Sequence, residues 1–258
     1  MNAVLLEKIN AIGLIRLNRP ERFNAFNREM ALELQNALDD CALDKSVRCV
    51  YLTGNGKAFC AGQDLKDLST EDLSAINEIV KEIYNPLVTR IRNIEKPVLC
   101  AVNGIAAGAG ANIALCCDVV VAADSASFVQ AFSKIGLIPD SGGTFFLPRL
   151  IGFQKASALM MLGDKVSAIQ AEKMGMIYKT FQDETFEEQS MQIALTLSRT
   201  ATRAIAFTKL ALNASLENSL SAQLLVEDRL QYAAAQTQDF SEGVNAFLSK
   251  RAPLFKGE

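Results

Sequence analysis

The sequence predicts an α/β fold, because short apolar segments typical of buried strands alternate with longer segments that favour helices. Val47–Thr53 (VRCVYLT) and Val98–Val102 (VLCAV) are apolar runs of strand length. The residues from about Thr70 to Ile94 favour a helix between these runs, and Pro97 closes it. Strands separated by helices in this way are expected to pair in parallel.

Two segments near the N-terminus predict a β-hairpin. Val4–Ile9 and Ile12–Leu17 are largely apolar and alternate in character, with Asn10–Ala11 between them. After a loop over Asn18–Asn27, a helix is expected from Arg28 to about Asp40. The apolar residues of this helix approximate helical spacing, and they are Met30, Leu32, Leu34, Ala37 and Leu38.

The rest of the chain first alternates between strands and helices and then becomes mainly helical. Lys57–Leu65 (KAFCAGQDL) predicts a short strand followed by a loop, Ala109–Cys116 a helix, and Val119–Ala122 a strand. After about Ser167 helices dominate, and the main ones are Phe186–Ser198, Arg203–Leu216 and Ser219–Gln236. No low-complexity linker precedes them, so this region is expected to pack on or beside the core.

Composition and charge limit the classes of function. The chain has 258 residues, and 50% of them are hydrophobic, which is enough for one large domain or for one domain with a small appendage. The net charge of −3 gives no basic excess for binding nucleic acid or an acidic membrane. Polar residues interrupt the apolar run over residues 98–123, which makes it a poor membrane span. No signal peptide is evident, and a cytoplasmic location is expected.

Six cysteines and the absence of histidine narrow the available chemistry. The cysteines show no CxxC spacing, and Cys116 and Cys117 are adjacent, which suits a disulfide framework badly. Reduced thiols in the core of a cytoplasmic protein are therefore expected. Without histidine, no metal site is expected, and any reaction must depend on backbone dipoles and carboxyl groups.

The segment Asn103–Asn112 (NGIAAGAGAN) consists largely of small residues. It lacks the third glycine of a dinucleotide-binding GxGxxG, and no acidic residue follows at the usual distance, so a Rossmann site is weakly supported. From the residues alone, a tight turn from strand to helix is the simpler interpretation. The alternative is an anion or oxyanion site, because small residues let a ligand approach the free N–H groups at a helix start.

The segment Ala58–Asp64 (AFCAGQD) follows a predicted strand, on the side where α/β proteins usually bind ligands. Asp64 fits a cap of a short helix. Cys60 has no histidine to activate it, so a packed thiol explains it better than a nucleophile.

Asp140 lies in Ile138–Gly143 (IPDSGG), where a turn or a helix cap is the simplest interpretation. Its surroundings in the sequence are apolar, which disfavours the charged form of the carboxyl group and suits an acid or base. The apolar neighbours are Ala131, Phe132, Ile135, Leu137, Ile138 and Pro139.

Four segments together resemble the crotonase (enoyl-CoA hydratase/isomerase) superfamily. They are KAFCAGQDL, AVNGIAAGAGANIALCCDVVVAADSASF, AFSKIGLIPDSGGTFFLPRLIG and SAIQAEKMGMI. The resemblance follows the family in order over essentially the whole chain, to the ending EGVNAFLSKRAPLFKG. It implies a crotonase-like spiral of ββα turns over residues 1–195. It also implies a C-terminal helical region over residues 196–258 that forms trimers, which often stack into hexamers.

The resemblance further implies a site for an acyl-CoA thioester. The backbone N–H groups of Gln63 and Ala109 would form an oxyanion hole for the thioester enolate. No separate cofactor is expected, because the substrate itself carries CoA. The residues implied in CoA binding are Arg22, Asn24, Ala25, Ala61, Asp64, Leu65, Phe255 and Lys256, the last two through a C-terminal helix that sometimes belongs to a neighbouring subunit.

Departures from the family's hydratases change the expected reaction. Those enzymes add water with two glutamates, and Asn112 and Phe132 occupy the two positions here. Asp140 instead matches the acid of some isomerases and of an aromatic acyl-CoA dehalogenase. The dehalogenase also needs a histidine and a tryptophan, and this chain has neither. A single carboxylate suits an isomerase, since it can move a proton from one carbon atom to another.

Several substrates and activities stay open at this point. The resemblance implies an isomerase for a ring-epoxidised phenylacetyl-CoA, which opens to its oxepin form, or for a 3-enoyl-CoA, which shifts to a 2-enoyl-CoA. The alternatives are an enoyl-CoA hydratase of fatty-acid oxidation and a non-catalytic CoA-binding scaffold. Asn112 either packs its helix or contacts the substrate. Candidates for an aromatic pocket, although most aromatic residues belong to cores, are Phe128, Phe132, Phe145 and Phe146.

Overall fold

The computed structural model describes residues 2–67 and 74–258. The strands are β1 (Val4–Ile9), β2 (Ile12–Leu17), β3 (Cys49–Gly54), β4 (Ala58–Cys60), β5 (Val98–Val102), β6 (Ile105–Ala107), β7 (Val119–Ala123), β8 (Ser127–Val129), β9 (Lys165–Ser167) and β10 (Lys179–Phe181). The α-helices are α1 (Arg28–Leu43), α2 (Ser74–Ile79), α3 (Asn85–Asn93), α4 (Ala109–Leu115), α5 (Gly143–Ile151), α6 (Phe153–Leu162), α7 (Ala168–Lys173), α8 (Phe186–Arg199), α9 (Thr202–Ser215), α10 (Leu220–Ala235) and α11 (Gln238–Leu248). Short 3-10 helices cover Pro20–Arg22, Leu65–Asp67 and Ala131–Ile135, and a π-helix covers Val80–Tyr84.

The strands form two sheets, and successive turns of the chain add one strand to each. The larger sheet has the order β1-β2-β3-β5-β7-β10 and the smaller one β4-β6-β8-β9. All neighbours are parallel except the pairs β1–β2 and β8–β9. The pattern β-β-α therefore repeats as β3-β4-α2, β5-β6-α4 and β7-β8-α5, which confirms the predicted α/β spiral.

The predicted N-terminal hairpin is confirmed, and Ile9 pairs with Ile12 across a two-residue turn. Asn10 and Ala11 have positive φ angles of 51° and 65°, which a type I′ turn requires at both positions. The twist of such a turn matches that of the strands it joins. Strand β2 then pairs in parallel with β3 and so attaches the hairpin to the larger sheet.

The helix predicted over about Thr70–Ile94 is divided in the structure, and its first positions, 70–73, lie outside the described residues. Helix α2 continues into the π-helix, and α3 follows with a proline in its first turn. Pro86 has no N–H to donate to the Glu82 carbonyl oxygen. The buried Gln35 side chain donates to that oxygen instead, at 2.9 Å. The proline and this amide account for the change of helical register.

The C-terminal part is helical as predicted, apart from the short strand β10. Helix α8 packs against β3 and extends to Arg199, so the expected division between residues 195 and 196 falls inside this helix. A division into two regions at that point stays a prediction. Helix α9 is attached to the core by Lys209, whose buried Nζ donates to Asp118 Oδ2 at 2.7 Å.

Helix α4 packs directly against strand β4, and small residues make this approach possible. A Cβ atom at Gly110 would lie 2.5 Å from the Cys60 carbonyl oxygen and 2.7 Å from Cys60 Sγ. Every residue of α4 is buried. Packing therefore requires the glycine at position 110, whereas the turn that precedes the helix requires the one at position 108, which has a φ of 52°.

All six cysteines are buried and free, in agreement with the predicted reduced core thiols. Within residues 2–67 and 74–258, no helix has the length and apolar character needed to cross a bilayer.

Gly110→Ala is expected to lower the free energy of unfolding by about 1–3 kcal/mol, because the added methyl group overpacks the contact between α4 and β4. Denaturant unfolding followed by circular dichroism measures this change. Gly243→Ala is the matched control, since a Cβ atom at that helical glycine would lie 3.4 Å from the Phe255 ring. The control is expected to be neutral or stabilising by up to about 1 kcal/mol. Equal destabilisation of both variants would contradict the packing described for α4.

Candidate active site

A cavity of about 140 Å³ opens where the parallel strands β4, β6 and β8 end. The carboxyl ends of neighbouring parallel strands meet at one edge, so the segments that follow them converge. Among the described lining residues, the polar side chains are those of Gln63, Tyr84 and Asp140. The larger apolar side chains of the wall are Ile79, Val80, Phe132, Ile135, Leu137 and Leu65.

The three residues predicted to be catalytic, Gln63, Ala109 and Asp140, all line this cavity. Gln63 lies in the loop after β4, and Ala109 begins α4 shortly after β6. Neither backbone N–H has an acceptor within the described part of the chain. A third group, the Asp140 carboxyl, reaches the same cavity from the segment before α5.

Two glycines with positive φ angles bring the two N–H groups close together. Gly62 has φ 90° directly before Gln63, and Gly108 has φ 52° directly before Ala109. Glycine adopts such conformations without strain. A Cβ atom at Gly62 would lie 2.8 Å from the Ala107 carbonyl oxygen and 3.5 Å from Ala109 N. Free N–H groups beside an apolar cavity are suited to stabilise a negatively charged oxygen.

Tyr84 is a lining residue that the sequence reasoning missed. Its buried hydroxyl group donates a hydrogen bond of 2.6 Å to Gln63 Oε1, and its ring meets Phe26 edge-on. Burial, together with the negative charge of Asp140, raises the pKa of Tyr84 well above its ordinary value, so the hydroxyl remains a donor. The sequence does hold one signal for Tyr84, which is its position two residues before Pro86. A proline within a helical segment changes the helical register, and such places are often functional.

Asp140 is half-buried at the cavity wall. Burial raises the pKa of its carboxyl group above the ordinary value, and a hydrogen bond from Ser141 Oγ to Asp140 Oδ1 at 2.8 Å opposes this effect. Ser141 is buried, with a positive φ of 52°. Of the apolar neighbours expected from the sequence, Ala131, Phe132, Ile135 and Leu137 line the same cavity as Asp140, whereas Ile138 is exposed. The turn expected from the sequence is present as well, since Gly143 N–H donates to the Asp140 carbonyl oxygen at 2.8 Å.

The two positions that hold glutamates in the family's hydratases differ in their environment. Phe132 lines the cavity. Asn112 does not line it, and its Nδ2 donates to the Asp140 carbonyl oxygen at 2.9 Å. Of the alternatives left open for Asn112, the structure therefore favours a supporting role over contact with the substrate.

The other three phenylalanines that could form an aromatic pocket do not line the cavity. Phe128 is buried in the core. Phe145 and Phe146 meet edge-on at a distance of 5.1 Å between ring centroids. Phe132 is thus the one member of the four that can contact a ligand in this cavity.

Cys60 is fully buried and accepts a hydrogen bond from Gly62 N–H at 3.4 Å. Burial raises the pKa of its thiol to about 12, so the reactive thiolate is not formed near neutral pH. The interpretation of Cys60 as a packed thiol is confirmed. Across residues 2–67 and 74–258, no group of three or more metal-ligating side chains is found.

Only some residues expected to bind CoA lie at the cavity. Ala61 and Leu65 line it. Asn24 and Ala25 are buried, and Asn24 Nδ2 donates to the Ala58 carbonyl oxygen at 2.8 Å. Asn24 thus supports the loop before α1, and Arg22 in the same loop is exposed.

Asp64 lies beside the cavity but is engaged with its own surroundings. Its carboxylate pairs with Arg19 Nη2 at 3.1 Å and accepts a hydrogen bond from Lys66 N–H at 3.3 Å. The second bond is the helix cap expected from the sequence.

The last two expected CoA contacts, Phe255 and Lys256, follow α11 and do not line the cavity. The Phe255 carbonyl oxygen accepts from Arg48 Nη1 at 2.7 Å, and Lys256 N–H donates to Asp239 Oδ1 at 2.7 Å. These hydrogen bonds attach the C-terminal segment to its own chain.

Comparisons with known proteins agree with this fold. The enoyl-CoA hydratase/isomerase family matches residues 7–258. The chain is 45% identical over 261 residues to the 1,2-epoxyphenylacetyl-CoA isomerase of Escherichia coli (strain K12), covering 100% of both chains. It is also 45% identical to a Rhodobacter capsulatus protein named a probable enoyl-CoA hydratase, over 99% of this chain and 98% of that one.

A solved structure shows the same fold. The enoyl-CoA hydratase from Bacillus anthracis superposes with a TM-score of 0.95 at 32% identity, and the match covers 99% of this chain and 100% of that one. The chain therefore belongs to the enoyl-CoA hydratase/isomerase family.

Ser141→Ala is expected to raise the pKa of Asp140 further above its ordinary value. The Ser141 hydroxyl stabilises the ionised carboxylate, so without it the carboxyl group loses its proton only at higher pH. A carbon NMR titration of the aspartate carboxyl groups, assigned with Asp140→Asn, measures the pKa.

The matched control for this titration is Ser125→Ala. Ser125 Oγ donates to Asp183 Oδ1 at 2.6 Å on the surface, so its loss is expected to leave the pKa of Asp140 unchanged. An unchanged or lowered pKa of Asp140 in Ser141→Ala would contradict the role given to this hydrogen bond.

Proposed function

We propose that this protein is an acyl-CoA isomerase in which Asp140 is the single acid/base and the N–H groups of Gln63 and Ala109 bind the thioester oxygen. One observation carries the proposal: a half-buried carboxyl group shares an apolar cavity with two backbone N–H groups that have no acceptor among the described residues. Membership of the enoyl-CoA hydratase/isomerase family supports an acyl-CoA thioester as the substrate.

The proposed reaction starts with the thioester carbonyl oxygen accepting hydrogen bonds from both N–H groups. Asp140 removes a proton from the carbon next to the thioester, and the electron pair moves onto the oxygen as an enolate. Protonated Asp140 then returns the proton to a carbon further along the acyl group. In a 3-enoyl-CoA the proton leaves C2 and returns to C4, which moves the double bond next to the thioester. Asp140 ends ionised, as it began.

The environment of Asp140 suits both proton transfers. A carboxyl group in water is a weak base, whereas burial raises the pKa of Asp140 above its ordinary value. The raised pKa makes the carboxylate a better base for the first transfer. Because the cavity is apolar, few water molecules compete for the proton between the two transfers.

A ring-epoxidised phenylacetyl-CoA is the substrate that this proposal favours. The 45% identity to the Escherichia coli isomerase supports it, and so do the rings of Phe132 and Tyr84 on the cavity wall. Asp140 would again remove a proton next to the thioester and return it to a ring carbon, while the carbon–carbon bond shared by the epoxide and the six-membered ring breaks to give the seven-membered oxepin. The shift of a 3-enoyl-CoA uses the same groups, and both reactions are included in the proposal.

Hydration of a 2-enoyl-CoA is the second candidate, favoured by the name of the Rhodobacter capsulatus relative. The two-glutamate route needs two carboxyl groups at the substrate. Asp140 is the only carboxyl group among the described lining residues, and the Phe132 ring occupies one of the glutamate positions. Isomerisation therefore fits this site better.

Assembly through the C-terminal helices, as a trimer or as a pair of trimers, is a further part of the proposal. Helix α10 buries none of its residues within the chain, and apolar side chains such as Leu212, Leu224 and Phe247 are exposed on α9–α11. Apolar surfaces of this kind are typical of interfaces. Phe255 and Lys256 would then contact CoA bound to a neighbouring subunit. A cytoplasmic location, expected from the sequence, belongs to the same proposal.

Asp140→Asn is expected to lower kcat for the isomerisation of a 3-enoyl-CoA and of 1,2-epoxyphenylacetyl-CoA by about 10²–10⁴-fold, because an amide can neither take up nor return the proton. The absorbance of the conjugated product follows the reaction. Calorimetric titration with phenylacetyl-CoA, which cannot isomerise, measures binding. Its Kd is expected to stay close to the wild-type value, since the two N–H groups are unchanged.

Asp164→Asn is the matched control, because it removes an exposed carboxylate with the same change of charge. It is expected to keep the wild-type kcat. Wild-type activity in Asp140→Asn would contradict the proposed acid/base, and a wild-type protein that hydrates a 2-enoyl-CoA faster than it isomerises either substrate would contradict the proposed reaction class.

A further inference from the structure

A buried polar pair lies directly behind Asp140. Asn112 and Gln130 are 1% and 4% exposed, and Gln130 Nε2 donates to Asn112 Oδ1 at 2.8 Å. Asn112 Nδ2 donates in turn to the Asp140 carbonyl oxygen at 2.9 Å. The two bonds connect helix α4 with the segment after β8 and the segment before α5, and so they join two successive turns of the spiral.

The Asp140 carbonyl oxygen determines which group donates in each of these two hydrogen bonds. A backbone carbonyl oxygen can only accept, so the group of Asn112 that faces Asp140 is its NH2 group. The Asn112 Oδ1 atom then faces Gln130, which has to donate. Gln130 Oε1 is left buried without a partner in the described part of the chain. An orphan acceptor lowers stability, so the pair is better explained by a task at the site than by stabilisation of the fold.

The peptide group of Asp140 is held from several sides. Gly143 N–H donates to the same carbonyl oxygen as α5 begins. Asn112 packs so closely on this turn that a Cβ atom at Gly143 would lie 2.3 Å from Asn112 Nδ2. Ser141, with its positive φ, donates to the Asp140 carboxylate. The backbone and the side chain of Asp140 are therefore held in one orientation at the cavity wall.

We propose that Asn112 is a positioning residue for Asp140 and that this position requires an amide. The inference rests on the proposed function, in which Asp140 transfers the proton. Asn112 does not line the cavity, so it acts through the Asp140 backbone and not on the substrate. A carboxylate at position 112 would place an oxygen where Nδ2 now lies, 2.9 Å from the Asp140 carbonyl oxygen, and would add a second negative charge beside the first. An ionised acid at position 112 is therefore incompatible with this arrangement of Asp140.

Asn112→Asp tests the proposal, because it replaces the donor NH2 group by an oxygen with little change of shape. It is expected to lower kcat about 10²-fold, the effect of a misplacement of about 1 Å, with KM near the wild-type value. The acidic limb of the pH profile of kcat is expected to move to higher pH, since the added negative charge raises the pKa of Asp140.

Asn213→Asp is the matched control for this substitution. Asn213 Nδ2 donates to the Arg92 carbonyl oxygen at 3.0 Å, outside the cavity, so the same chemical change removes the same type of bond. The control is expected to keep the wild-type kcat and pH profile.

Gln130→Met tests the positioning role of Asn112 if Asn112→Asp folds poorly. The change removes the donor that orients Asn112 and preserves the volume of the side chain. It exchanges one buried acceptor without a partner, Gln130 Oε1, for another, Asn112 Oδ1. The thermal midpoint is therefore expected to stay near the wild-type value while kcat falls about tenfold, the equivalent of one hydrogen bond.

The outcomes separate this inference from the proposed function when Asp140→Asn is assayed in parallel. A wild-type kcat and pH profile in Asn112→Asp, or an activity loss in both variants that follows the folded fraction, overturns the positioning role. If Asp140→Asn is inactive in that case, the proposed function stands and only the positioning role falls. If Asp140→Asn keeps its activity, the proposed function falls and the inference falls with it.

Discussion

The close approach of helix α4 to the loop after strand β4 is the constraint on which this site depends. β4 and β6 are parallel neighbours, so their carboxyl ends meet at one edge of the smaller sheet. Gly62, Gly108 and Gly110 let the two segments meet there, since a side chain at Gly62 or Gly110 would collide with the backbone opposite. The N–H groups of Gln63 and Ala109 then remain without acceptors among the described residues. The packing of α4 and the exposure of the two N–H groups thus both require glycines in these short segments.

An apolar cavity explains how so few polar groups can serve a reaction. Hydrogen bonds to a developing negative charge are stronger where water is scarce, and unpaired donors need no reorganisation when that charge appears. The same scarcity of water raises the pKa of Asp140, and Ser141 limits that rise. The buried amide of Asn112 adds no charge to this balance. A single carboxyl group with a raised pKa is what a reversible proton shift requires, whereas water addition by the two-glutamate route requires a second one.

The hydrophobic pattern of the sequence predicted the longer strands, in which such a pattern can be recognised. β1, β2, β5 and β7 were predicted to within a residue or so, because five or six residues are enough to show apolar character. Strands of three residues, such as β6, β8 and β9, were missed, since their pairing depends on the neighbouring strand and not on periodicity.

At the site, Asp140 and the two backbone donors were reached through the family resemblance and now share one cavity. Tyr84 was missed because its bond to Gln63 joins residues 21 positions apart, and the alternatives for Asn112 could be separated only by its contact with Asp140. The most direct test of the central claim, that backbone N–H groups polarise the thioester, is the carbonyl stretching frequency of bound phenylacetyl-CoA, isotope-labelled at the thioester carbon. A shift to lower frequency on binding is expected, equal in wild type and in Asp140→Asn. A band at the frequency of the free thioester, or a shift lost in Asp140→Asn, would contradict it.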